Sequence, residues 1–227
     1  MNLRAKILSL PFQSLSWVPA GTYEIGMRSD ELITAEERGH RFYSTRERKS
    51  VSVTGFFVRT HPVSLREFAL FAELRSYRPR GEDHAAFRSS SPSAPVEVSY
   101  LYAKRYAKWM GGRLPTPEEY YILATGLTGL QLPECARQIA EQFPRRRSNR
   151  IGAHPECRSI FGVQDLIGCV DEWVHCGEKH HNLAIGLPYS SNSNSENCIS
   201  ELRANKSAGL VNGVGFRYVV DPADTDV

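Results

Sequence analysis

No apolar run in this sequence approaches the length needed to cross a bilayer. A strong charge of one sign is missing too. Lys and Arg number 28 against 25 Asp and Glu, which implies no broad nucleic-acid surface. The basic cluster RRRSNR at 145–150 reads as a solvated loop, with a phosphate-binding patch as the alternative. P-loop, dinucleotide, HExxH and G-x-S-x-G patterns are absent, so no local signature of those chemistries is present. Cys-x-x-Cys is absent as well. The five cysteines are Cys135, Cys157, Cys169, Cys176 and Cys198. The opening MNLRAKILSLPFQSL is interrupted by Pro11 and Gln13 and lacks a small-x-small cleavage site, so a signal peptide is not expected. An odd cysteine count without a leader favours free thiols and a cytoplasmic location, although two bridges and one leftover thiol would use the same count.

What is there is ordinary globular composition: 227 residues, 41% hydrophobic and 23% charged. That predicts one domain over 1–227. LSWVPAGTYEIG (15–26) reads as a hairpin or a pair of short strands around a Pro-Ala-Gly turn, and a further strand runs through Phe56, Phe57 and Val58. A helix from Ser64 to about Leu74 has Ser64 and Glu67 as a capping box and Leu65, Phe68, Phe71 and Ala72 as its apolar face. The Pro-, Gly- and Ser-rich stretch 75–95 reads as a loop. A second helix, from Ser99 to about Met110, carries Tyr102, Ala103, Tyr106, Ala107 and Met110 at helical spacing and stops at Gly111-Gly112. A third begins at Thr116, with Pro117 in its first turn and Glu119 completing the box, and a helical run is expected over 133–143. From 148 onward short strands and loops are expected, ending in GVGFRYVV (213–220), with GFR in a core strand.

GCVDEWVHC (168–176) packs thiols, carboxylates and a histidine into one short stretch. Cys169, His175, Cys176, His180 and His181 are the types that ligate zinc, copper or iron, but the Cys-x6-Cys spacing is not a structural zinc hook. Solvent-exposed or hydrogen-bonded histidines beside buried thiols are the plainer reading. Asp165, Asp171 and Glu172 with nearby carbonyls suit a hard cation, while Asp171 facing water is the bland alternative.

In order, WVPAGTYEIG (17–26), PVEVSYLYAKRYAKWMGGRLPTPEEYYILATG (95–126), FGVQDLIGCVDEW (161–173) and NGVGFRYVV (212–220) resemble the formylglycine-generating enzyme family, the sulfatase-modifying-factor domain. RLPTPEEY, then the GxxDEW turn, then GFR form an ordered signature more specific than its parts. The resemblance implies an α+β, C-type-lectin-like fold with short strands and extensive loops. It also implies a calcium site at the GCVDEW turn, where Gly168, Val170 and Glu172 match the family pattern; Cys169 stands in place of its asparagine, and a neutral thiol is a poor calcium ligand.

Formylglycine-forming members hold copper with two cysteines, separated by four residues, shortly before an arginine and the final GFR. The matching region here, NCISELRANKSAGLVNGVGFR (197–217), has Cys198 alone, so copper is not expected. Arg113 and Arg217, inside recurrent structural motifs, are expected to support the fold. The resemblance therefore implies a noncatalytic member that binds a protein or small ligand, or assembles with a partner, through its C-terminal loops. Tyr189, Asn192, Asn194, Glu196 and Asn197 are the candidate contacts, because they combine aromatic area with adaptable hydrogen bonding. The alternative is a copper- and oxygen-dependent oxidoreductase acting on a peptide cysteine.

Overall fold

The computed structural model describes residues 14–25, 48–77, 91–125, 150–166, 169–177, 182–186, 200–205 and 214–222. The helix expected over 133–143 lies outside them. The opening strands, β1 (Leu15–Val18) and β2 (Gly21–Ile25), do not pair with each other. Each pairs instead with a later strand, β1 with β4 (Phe56–Arg59) and β2 with β3 (Lys49–Val53), both antiparallel. The hairpin reading is thus corrected to one long ribbon broken at its middle. Pro19, which has no N–H to donate, sits at the break. Gly55 faces it at φ +87°, where a Cβ would lie 2.9 Å from the Ala20 nitrogen and the Trp17 ring.

Three helices follow among the described residues: α1 (Leu65–Leu74), α2 (Tyr100–Trp109) and α3 (Pro117–Thr125). Ser64 and Glu67 exchange both capping-box hydrogen bonds, and Thr116 and Glu119 do the same. Ser99 occupies the cap position of α2 without a side-chain bond. The α2 stop is a Schellman turn, with Gly111 at φ +83° and Gly112 N–H donating to Ala107 O at 2.9 Å. Gly112 is also needed for close approach, since a Cβ there would meet Val219 O at 2.1 Å. That approach lets Arg113 and Val219 exchange backbone hydrogen bonds of 2.9 and 2.8 Å.

The second half builds a four-stranded sheet in the order β7 (Ser200–Asn205), β6 (Asn182–Gly186), β5 (Asp171–Val174), β8 (Val214–Gly215). The last strand, β9 (Val219–Val220), joins β4 in the other sheet, which has the order β1-β4-β9. GFR was expected within one core strand. It is instead the crossover between two sheets, strapped down by Val63 N–H to Phe216 O (2.9 Å) and Arg59 N–H to Tyr218 O (3.1 Å).

Alternation along extended chain divides the interior into two cores. Phe216, Tyr218 and Trp173 enter one, with Phe68 and Phe71 of α1 and Tyr106 of α2. Val219 and Val174 enter the other, with Val18, Val58 and Tyr120 to Leu123 of α3. Each fully buried aromatic or aliphatic side chain contributes about 1.5–3 kcal/mol by leaving water.

Candidate functional site

The GCVDEW turn and GFR meet inside the molecule. Antiparallel pairing with β6 and parallel pairing with β8 hold β5 so that Glu172 lies beside Gly215, two residues before Arg217. Arg217 Nε donates to Glu172 Oε2 at 2.7 Å and Nη2 donates to Oε1 at 2.6 Å. The remaining donors reach carbonyls: Nη1 to Arg59 O and Thr60 O, both 3.3 Å, and Nη2 to Gln164 O at 3.1 Å. All five guanidinium N–H groups are thereby used, and both side chains have zero exposure. Burial pushes the Glu172 carboxyl up and the guanidinium pulls it back; the short bidentate geometry is that of an ionised pair.

Arg217 is therefore a fold-supporting residue, as expected from its motif. Arg113 is another, with both Nη atoms donating to the Glu119 carboxylate at 2.7 Å and Nε and Nη2 donating to Asp221 at 2.9 and 2.8 Å. A third arginine, Arg59, was not singled out from sequence; it donates to Glu67 at 2.8 and 3.5 Å with no exposure. Nothing in VRTHPVS marks Arg59 as buried. Only its fall opposite the first turn of α1 does so.

The proposed cation ligands are placed only in part. Gly168 lies outside the described residues, Val170 is buried, and Glu172 is held by Arg217. A divalent ion at Glu172 would face a guanidinium across the same carboxylate, so the described part of this set fits calcium poorly. Asp171 does not face water: it is 4% exposed and packed so tightly on Gly186 that a Cβ at that glycine would meet its carboxylate. Asp165 is also buried and accepts from Gly152 N–H at 2.8 Å; burial raises its pKa.

Of the thiol and imidazole group, Cys169 is buried, Cys176 is half-buried, and His175 Nδ1 shares a 2.8 Å hydrogen bond with Tyr100 OH. His180 and His181 lie outside the described residues, among which no three His, Cys, Asp or Glu side chains converge as a metal cluster. His61, which sequence reasoning passed over, is buried with its Nδ1 2.8 Å from Thr60 Oγ1; burial first, and then the charges of Arg217 and Arg59, lower its pKa to about 4.

Tyr189, Asn192, Asn194, Glu196 and Asn197 lie outside the described residues, as does Cys198. The structure does describe the two strands that flank them. β6 ends at Gly186 and β7 begins at Ser200, and these two residues are paired across the ladder. In sequence, the candidate contacts fall in the connection between these two antiparallel neighbours.

Capped helices packed on twisted short strands, with the glycine turn locked to the terminal GFR, define a C-type-lectin-like α+β scaffold of the formylglycine-generating-enzyme type. Residues 8–222 match the family described as the sulfatase-modifying factor enzyme 1-like domain, and the chain belongs to that family. Over 149 residues, 55% of its length, it is 28% identical to the serine/threonine-protein kinase Pkn1 of Chlamydia trachomatis serovar L2, and it spans 23% of that protein. Its fold is similar to that of PvdO from Pseudomonas aeruginosa, with TM-score 0.68 and 18% identity, covering 92% of this chain and 94% of PvdO. Treponema denticola variable protein 1 shares the fold at TM-score 0.57 and 12% identity, covering 92% and 95% of the two chains.

Proposed function

We propose that this chain is a noncatalytic recognition or assembly module that contacts a protein or small ligand through the connection between β6 and β7. The observation that carries this reading is how the buried polar residues of the family motifs are used. Arg217 and Glu172 satisfy each other and the surrounding carbonyls at zero exposure, so neither has a donor or acceptor directed at a substrate. A catalytic group has to touch the reacting atoms. The sequence adds that Cys198 has no second cysteine four residues away. What is left is a rigid scaffold with a polar connection rooted on paired strands, an arrangement suited to binding.

The chain spans 23% of the kinase relative, so that protein's activity is not carried over to it. In this proposal calcium and copper have no role.

The test is capture of a partner from native extract, followed by an affinity comparison of wild type with a folded Tyr189/Asn192/Asn194 triple-alanine variant. The module reading expects the variant to lose about tenfold or more in affinity. Equal affinity would remove this surface from consideration. Oxygen-dependent mass change of a peptide cysteine, seen only with added copper, would establish the oxidoreductase alternative.

A further inference from the structure

The C-terminal end of α1 and the stretch of α2 from Tyr102 to Trp109 border an open cavity of about 550 Å³. Among the described residues Phe71, Arg75, Ser76, Tyr77, Tyr102, Arg105, Lys108 and Trp109 line it: four aromatic rings, two of them phenols, three cations, the Ser76 hydroxyl and no carboxylate. The rings form walls. Tyr77 and Tyr102 lie 4.1 Å apart between centroids, Phe71 and Trp109 5.3 Å, and the Arg105 guanidinium stands over Tyr102 at 5.5 Å. The volume falls in the range of small-molecule pockets, about 300–1,000 Å³, whereas a docked peptide needs a longer groove.

A second feature points to use. Both helices end in Schellman turns. In α1, Ser76 N–H donates to Glu73 O at 3.1 Å and Tyr77 N–H to Ala72 O at 2.7 Å, matching the Gly111 and Gly112 bonds that end α2. The left-handed position in α2 is glycine, but in α1 it is Ser76, at φ +49°. A side chain is disfavoured there, so local stability alone selects glycine. Ser76 instead places its residue on the cavity wall, and backbone outliers of this kind collect at binding sites.

Arg75 and Lys108 also lie near the negative ends of the two helices, which accounts for part of their placement. The rings also pack on the core, but neither the helix ends nor the core accounts for Arg105 or for a serine where glycine is the easier residue. From the lining charges and rings together we infer that this cavity is a second binding site, taking a small flat aromatic molecule that carries a carboxylate or phosphate. The rings stack on its body, Arg75, Arg105 and Lys108 bind the anion, and Ser76 adds a hydrogen bond.

Phenyl phosphate titrated calorimetrically into the full chain tests this. It is expected to bind about tenfold or more tightly than either inorganic phosphate or benzyl alcohol, and Arg105→Gln/Lys108→Gln to remove that advantage. Ser76→Gly should weaken binding about threefold while leaving the thermal midpoint unchanged or higher, an outcome that a purely structural serine does not give. The Tyr189/Asn192/Asn194 variant should bind phenyl phosphate normally, which keeps this site separate from the β6–β7 surface. Equal binding of inorganic phosphate or benzyl alcohol, no heat at millimolar phenyl phosphate, or an unaffected Ser76→Gly variant would each overturn the assignment.

Discussion

Two helices begin with the same device in different surroundings. Ser64–Glu67 and Thr116–Glu119 are both complete capping boxes, and in each the glutamate is also held by an arginine from the preceding chain, Arg59 or Arg113. Arg59 and Glu67 are sealed from water, at 0% and 1% side-chain exposure. Arg113 is 36% exposed, and Asp221, its second partner, is 54% exposed. An identical local code can therefore rest on a buried charge or on a solvent-screened one. Removing Arg59 strands Glu67 at 1% side-chain exposure, whereas removing Arg113 frees Asp221 to water and leaves Glu119, at 9%, with its cap bonds.

Arg59→Met should break the comparison most visibly. It leaves Glu67 buried without its cation, and a loss of about 3–5 kcal/mol is expected in denaturant unfolding. Arg113→Met should cost less, about 1–2 kcal/mol, because Glu119, at 9% side-chain exposure, keeps its backbone cap bond and Asp221 is left to water. Similar losses from the two substitutions would show that burial does not separate them. Adding Glu67→Leu to Arg59→Met should recover much of the larger loss by removing the stranded carboxylate.

Acid should also act on the buried side. His61 has its folded pKa lowered to about 4 by burial and by Arg217 and Arg59, so the unfolded chain binds its proton more readily than the folded one. Its contribution is intact above the ordinary histidine value and is lost as pH falls from about 6.5 towards 4, amounting to roughly 2–3 kcal/mol. A His61→Gln variant should unfold with a flatter pH dependence across that window; an unchanged slope would show that His61 is not the group responsible.

At the open box, Thr116→Ala should cost about 1 kcal/mol, read as a shift in unfolding midpoint without a change in slope. The smallest effect belongs to the Arg113–Asp221 pair. Asp221→Asn should change stability by a few tenths of a kcal/mol, and added salt should erase the difference. A salt-insensitive loss would mean that Asp221 contributes through packing.

Legibility followed the range of the interactions. Both capping boxes, the apolar face of α1 and the stop at Gly111-Gly112 depend on residues a few positions apart, so they were readable before any fold was known. The order of RLPTPEEY, GxxDEW and GFR was equally readable as a family pattern. The fate of β1 was not, because Val18 pairs with Phe56 and nothing within 15–26 chooses that partner over β2. Glu172 looked like a cation ligand for the same reason: its partner, Arg217, lies 45 positions away. Of the candidate contact surface, the structure adds only its paired ends, Gly186 and Ser200.

By itself the sequence determined where helices start and stop, which faces are apolar, and which family the chain resembles, because backbone capping and side-chain periodicity act over one or two turns. Tertiary structure alone decided which charges are buried, which strands share a sheet, and that the end of α1 and one side of α2 border a basic aromatic cavity. Desolvation depends on everything packed around a group, and only the folded chain brings those neighbours together.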